Sequence, residues 1–413
     1  MSDDTDQILL EELKKNKVIS ESQYESISQR LDDEESNQQK AVHLSTNGGF
    51  KISTYDGSSS FEIKGRLLID YAYYQEDQLN RLGSGTELRS ARLGAEGILQ
   101  TNWGYELELD FAGSSVEIKD AYIEYLGKLP MKFKIGYFKE PFSLEELTSR
   151  KYLTFMERAL PNELALGNNI GIGFKTMGDS WTFNTGLFGD GFNDDADNEG
   201  DEGWGATGRF TFAPLKMDRR SAHLGIALSM RKPDDDNKIK FKNRPESHVT
   251  DIKYLHTGSI KSAEQIDRYG IEAAIVMHTL SLQSEYIQSK ISRGSSQQTL
   301  DFDGWYIYGS WFLTGESRVY KAKKGRFSRI NPTHQNGAWE LALRHSQLNL
   351  NSHDITGGKA KHWTLGVNWY ANPKLRFMLN YIMVDNDQFA DADGDVIGND
   401  DVNILQMRTQ LDF

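Results

Sequence analysis

The 413-residue chain contains no cysteine, which excludes a disulfide framework and thiolate chemistry and leaves its redox compartment open. It is also short of base. Lys and Arg number 47 against 60 Asp and Glu, a formal net charge of −13. Phosphate backbones call for a basic surface, so nucleic acid is not an expected partner, although a local basic site is compatible with this balance. No run of about 18 apolar residues occurs, so no transmembrane helix is expected. Low hydropathy does not argue against a membrane, because a barrel strand is only half apolar. The opening MSDDTDQ is acidic where a signal peptide is basic and then apolar. It suits a cytoplasmic protein, or a mature form with a start Met added. HExxH, P-loop and GxSxG motifs are absent, and the nine His show no diagnostic spacing, so an enzyme is not expected.

What the chain does have is period-two patterning. Before it, residues 1–45 form a separate unit. Ile8, Leu9, Leu13, Val18, Ile19, Tyr24, Ile27 and Leu31 recur at helical spacing, and Ser20 with Gln23 resembles a capping box opening a second helix. Two short helices and an acidic, Gln-rich linker are expected there, either as a solvated appendage or as a small docking element. From Phe50 the pattern changes. FEIKGRLLIDYAY, WGYELELDF, MKFKIGYF, GWYIYGSWFL, HWTLGVNWYA and LRFMLNYIMV alternate apolar with polar. Strands without interleaved helices exclude a βαβ fold and leave a sandwich, propeller or barrel.

Loop lengths discriminate among these. Short connections (QTNWG, GKLPM, TMGDS, MHT, ANPK) alternate with long polar ones at YQEDQLNRLGSGTE, DGFNDDADNEGDEG, about 232–267, and DNDQFADADGDVIGNDD. Transmembrane barrels have that asymmetry, and about sixteen strands can be counted from Phe61 to Phe413. Aromatic residues near strand ends (Trp103, Trp181, Trp363, Trp369) suit interfacial girdles. The final NILQMRTQLDF places Leu405, Met407, Leu411 and Phe413 on the lipid face, and Gln406, Arg408, Gln410 and Asp412 on the lumen face. The expected fold is an all-β antiparallel transmembrane barrel over residues 46–413. A soluble β-rich binding protein is the alternative of another class.

LTGESRVYK, GAWELALR and HWTLGVNWYANPKLRFMLNY, with GRLLIDY, SLEELTSRKYLTFMER and RPESH, resemble the phosphate-selective porin O/P family from about Phe50 to Phe413. The terminal Phe resembles the assembly signal of bacterial outer-membrane barrels. The resemblance implies a homotrimeric outer-membrane porin, its signal peptide absent from this chain, that passes small anions such as phosphate through a basic constriction. A weakly selective porin for other anionic or small hydrophilic solutes is the alternative within the fold.

An anion pathway needs lumenal cations that bind weakly and repeatedly. NKIKFKNRPES places Lys238, Lys240, Lys242 and Arg244 on alternate residues, hence on one face of an extended segment. A solvated charge run is the plainer reading; the resemblance implies a ladder at the pore mouth. In the third long loop, EPFSLEELTSRKYLTFMERALPNELALGNN, Leu147, Leu153, Phe155 and Met156 can pack against an inner wall. By resemblance Lys151 and Arg158 are pore residues there, as are Arg66, Arg89 and Asp110 on the strands. Glu146 stands where the family carries a lysine, and Ser90 where it carries an arginine. A carboxylate near the constriction repels anions; Arg92, two residues beyond Ser90, is a compensating cation. Lys321, Lys323, Lys324, Arg326 and Arg329 form a dense basic patch that parity assigns to the short-turn side, as an exit funnel or as solvated charge. Asp391, Asp393 and Asp395 have the spacing of a calcium loop's first three ligands but lack its terminal Glu. Calcium is thus a weak expectation; no other cofactor is expected.

Overall fold

A computed structural model describes residues 3–40, 42–46, 49–75, 82–189, 201–294 and 296–413. Of the long loops read at 74–87 and 190–203, residues 76–81 and 190–200 lie outside the described residues.

Helices α1 (Asp3–Lys15) and α2 (Glu21–Lys40) open the chain. The capping box forms as read: the Ser20 backbone N–H donates to Gln23 Oε1 at 2.9 Å, and the Gln23 N–H to Ser20 Oγ at 3.3 Å. Lys14 and Glu21 tie the helices together at 2.6 Å. The stretch expected to be a linker differs from that reading. It continues α2 to Lys40, and a hairpin of Val42–Ser45 with Phe50–Thr54 then leads into the barrel.

Sixteen strands close the barrel: β1 Ser60–Gln75, β2 Gly85–Leu99, β3 Trp103–Asp110, β4 Glu117–Tyr125, β5 Lys132–Lys139, β6 Asn168–Met177, β7 Trp181–Phe188, β8 Trp204–Met217, β9 Arg220–Lys232, β10 Ala263–Met277, β11 Leu280–Arg293, β12 Leu300–Phe312, β13 Ala338–Ser352, β14 Ile355–Tyr370, β15 Leu375–Asn386 and β16 Asn403–Asp412. Each pairs antiparallel with its neighbour, and β16 returns to β1 through Leu411↔Leu67 and Asp412↔Arg66. Closure removes the sheet edges, as a membrane requires.

The seam shows why the chain ends as it does. The Gly65 N–H donates to the Phe413 carbonyl at 2.8 Å, and the Phe413 N–H returns to Gly65 at 3.1 Å. The Phe413 ring lies directly over Gly65, where a Cβ would meet it at 2.1 Å. Along β16 the alternation separates completely. Met407 and Leu411 are 46% and 42% exposed, whereas Arg408 and Gln410 are 2% and 3% exposed. The exposed set belongs to the lipid face. On the short-turn side, Trp339, Trp369 and Phe377 stack, and Trp103 meets the stacked pair Tyr125–Phe133 edge to face.

Three inward segments fill one half of the lumen. The loop between β5 and β6 (140–167, L3) buries Phe142, Leu144, Leu153, Phe155, Met156 and Leu160. The loop between β9 and β10 (233–262, L5) packs Phe241 and Tyr254 beside it. The segment 313–337 enters from the short-turn side as a small hairpin, Val319–Lys321 with Arg326–Ser328. Lumenal side chains of β8 to β16 are consequently buried, while those of β2 to β6 (Arg92, Glu106, Tyr122, Lys134, Lys175) stay partly exposed. The accessible side of the lumen runs along β2 to β6.

Wall residues clamp the backbone of L3. Glu285 of β11 accepts the Leu144 and Glu145 N–H groups at 2.9 and 2.7 Å. Arg376 of β15 donates to the Leu153 and Thr154 carbonyls at 2.6 and 3.1 Å, Asn380 accepts the Met156 N–H at 2.9 Å, and Gln410 donates to the Lys151 carbonyl at 3.1 Å. These bonds satisfy loop backbone that would otherwise be buried without partners, a cost of about 1–3 kcal/mol per group.

Candidate anion pathway

One row of side chains crosses the accessible wall. Register sets Asp412 of β16 beside Arg66 of β1, Arg66 beside Arg92 of β2, and Arg92 beside Asp110 of β3. Parity turns all four inward. Asp110 fixes its neighbour: it accepts from Arg92 Nε at 2.9 Å, Ser90 Oγ at 2.9 Å and the Ala91 N–H at 2.9 Å. Ser90, read as a missing cation, thus helps hold the carboxylate that orients Arg92. Glu108, one inward position before Asp110, bonds Arg92 Nη1 at 2.6 Å and lies 3.7 Å from Arg66 Nη2.

Arg89 reaches the loop by a different device. The β1–β2 register pairs Leu68 with Ser90 but Ile69 with Leu88, so Arg89 is the extra residue of a bulge. Bulges re-aim side chains, and Arg89 meets Glu157 of L3 in two bonds of 2.9 and 3.1 Å. Glu157 also takes Arg408 at 2.6 Å and Arg150 at 3.3 Å. Burial opposes its charge, but Arg89 and Arg408 outweigh that and hold its carboxyl well below the usual range.

The expectation for Glu146 needs correction. It is not a bare negative charge on the path but is buried between Lys139 and Arg158, with Arg158 Nε at 3.2 Å and Asn162 Nδ2 at 2.9 Å. Burial raises its pKa, yet Arg158 and Lys139 overcome that and bring it to about 2. Its effect on an anion is indirect: it neutralises Arg158, whose remaining donors go to the carbonyls of Glu145, Glu146 and Thr148. Lys151 has no ion-pair partner among the described residues. Burial lowers its pKa, Asp412 opposes this, and Arg66 and Arg329 add to the lowering.

At the mouth, L5 is extended where the alternation predicts it. Ile239 bridges Ile260 and Lys242 pairs with His256, so Phe241 packs into the core while Lys238, Lys240 and Lys242 project outward. Lys242 and Arg244 join Arg150, Arg158 and Lys253 around an open cavity of about 200 Å³. Arg244 is held there by the Thr250 carbonyl and Asp251, each at 2.8 Å. Lys238 and Lys240 lie outside that lining; Lys238 pairs with Asp236 at 3.3 Å.

The basic patch on the short-turn side divides. Arg326 reaches up to the Leu147 carbonyl of L3 at 2.9 Å, Arg329 bonds Asp412, and Lys323 faces Asp179 at 3.3 Å. Asp391, Asp393 and Asp395 do not converge. Asp393 lies 3.6 Å from His256, and no group of three acidic or His side chains able to hold a metal is found among the described residues.

Sequence reasoning missed Glu106, Glu108, Lys64, Lys139 and Lys253 as lumenal charges. Glu106 and Glu108 were within reach of it, because they share Asp110's parity in WGYELELDF. Their partners, set by cross-strand register, were not.

A closed barrel with an apolar outer band, a charged lumen and an inward third loop is a porin-type channel of the bacterial outer membrane, and not an enzyme. The family model for phosphate-selective porin O and P matches residues 61–413, and the chain belongs to that family. An uncharacterised protein of Caulobacter vibrioides is 32% identical over 378 residues, covering 86% of this chain and 75% of that one. Porin O of Pseudomonas aeruginosa is 27% identical over 410 residues, covering 88% and 92%. Among solved structures, an anion-selective porin from Comamonas acidovorans superimposes with a TM-score of 0.56 at 16% identity, covering 86% of this chain and all of that one.

Proposed function

We propose that the channel conducts small anions, with phosphate as the principal permeant, from the L5 mouth past the constriction to the short-turn side. The charge balance at the narrow zone carries the reading. Arg66, Arg89, Arg92, Lys139, Arg150, Lys151, Arg158, Arg329 and Arg408 face Asp70, Glu108, Asp110, Glu146, Glu157 and Asp412, nine cations to six carboxylates. In a water-poor constriction this surplus attracts anions and repels cations. Lys242, Arg244 and Lys253 extend the positive field outward. Guanidinium forks suit phosphate oxygens.

Ion pairing favours weak rather than tight selection, because among these cations only Lys151 lacks a carboxylate partner. A modest preference for phosphate over chloride follows, and other small anions pass. The resemblance further supports a homotrimer, with α1 and α2 on the periplasmic side. The test is a planar-bilayer measurement under a potassium chloride gradient. A reversal potential of the sign for chloride, and partial block of chloride current by added phosphate, are expected. Cation preference overturns the reading.

A further inference from the structure

We propose that Glu108 is a specificity-determining residue of the channel: it occupies the Arg66–Arg92 pair in place of a permeant oxyanion and so keeps anion binding weak. The inference rests on the anion-channel reading above.

Four of the carboxylates that meet cations at the constriction differ in their surroundings. Glu157 and Glu146 belong to L3. Glu157 joins the loop to β2 and β16 through Arg89 and Arg408. Glu146 is bound by Lys139, Arg158 and Asn162. Those two are anchors, and removing either loosens the loop. Asp110 is also a positioning group, since its bonds to Ser90 and Ala91 leave it no freedom.

Glu108 is of another kind. It projects from β3, a rigid strand, and its side chain remains 15% exposed to the lumen. Its hydrogen bonding among the described residues is to Arg92 alone, with Arg66 close by. Arg66 is 5% exposed, and its Nε has no hydrogen-bond partner among the described residues. Two guanidiniums side by side are a fork for a phosphate, sulfate or carboxylate group. Glu108 presents a carboxylate to that fork from within the chain. A permeant oxyanion must displace it or share the fork with it, against like-charge repulsion. Divalent oxyanions suffer more from that repulsion than chloride does. Conduction benefits, because an anion held too tightly does not leave.

The experiment uses the full chain, reconstituted in planar bilayers with potassium chloride and titrated with inorganic phosphate. Glu108→Gln keeps the size and removes the charge. The phosphate concentration that halves the chloride current is expected to fall about tenfold, equivalent to roughly 1.4 kcal/mol. Glu108→Asp keeps the charge and is expected to block like wild type, within about threefold. Glu108→Ser is a second neutral variant with the same expected gain, so a folding failure of one leaves the other to decide. An anion-selective wild type whose neutral variants block at the wild-type concentration overturns the role of Glu108 and leaves the channel reading intact. Failure of both neutral variants to fold also overturns it, by making Glu108 structural. A wild type with no anion preference defeats the channel reading itself.

Discussion

Replacing Glu246 with Gln should release L5 from the barrel wall. The residue lies in the RPESH turn, in a left-handed conformation (φ 53°) that drives its carboxylate into the lumen. There it bonds Arg344 of β13 at 2.7 Å, Ser346 at 2.5 Å, Thr364 at 3.2 Å and the Leu160 N–H of L3 at 3.0 Å. Burial opposes its charge, but Arg344 and His362 outweigh this and hold it at about 2, against an ordinary 4.5. That difference corresponds to about 3 kcal/mol of stabilisation. It agrees with the roughly 3–5 kcal/mol lost when one partner of a buried ion pair is removed. Because the folded pKa is depressed, the contribution is fully present above the unfolded value. It fades as pH falls from about 4.5 toward 2. Glu246→Gln should therefore lower the unfolding midpoint in detergent, expose L5 to limited proteolysis, and raise single-channel conductance as the loop leaves the mouth. Replacing both Glu246 and Arg344 with apolar residues should restore much of the midpoint. A Gln variant with wild-type midpoint, cleavage pattern and conductance refutes the latch.

Gly65→Ala should slow barrel assembly, because a Cβ meets the Phe413 ring at 2.1 Å; unchanged yields of heat-modifiable protein would show that the seam tolerates a displaced ring. Lys at Met407 should cost roughly 2–4 kcal/mol near mid-bilayer in refolding titrations, and no loss would mean that this face is wet. Lys151→Glu should shift the reversal potential toward cations. Lys240→Glu, farther out, should mainly slow anion arrival, an effect that fades at 1 M salt where the Debye length is about 3 Å; identical salt dependence of the two variants would contradict their placement. Removal of residues 1–45 should leave conductance and selectivity unchanged, and altered selectivity would place that segment in the pore.

Much of the site's composition was legible in order, but its charge state was not. Lys238, Lys240 and Lys242 project from one face as their alternation predicts, yet only Lys242 and Arg244 meet the cations of L3, because L5 turns at Pro245 and carries its tip into the lumen. Glu146 read as a repulsive charge because its neighbours in sequence do not neutralise it. Lys139, seven residues earlier, and Arg158, twelve later, do.

The sequence by itself determined the barrel: period-two alternation, alternating short and long connections, and a terminal strand whose apolar face needs lipid. Those signals are local, since side-chain parity and turn length depend on residues a few positions apart. Tertiary structure alone decided which charges remain available to an ion. Register sets Arg66, Arg92 and Asp110 side by side across three strands, a bulge swings Arg89 to Glu157, and Arg344 of β13 holds a loop carboxylate 98 positions earlier. Coulombic pairing depends on distance in space, and closing the sheet into a barrel brings residues hundreds of positions apart within hydrogen-bond reach, as Arg408 of the last strand and Asp70 of the first demonstrate at 2.6 Å.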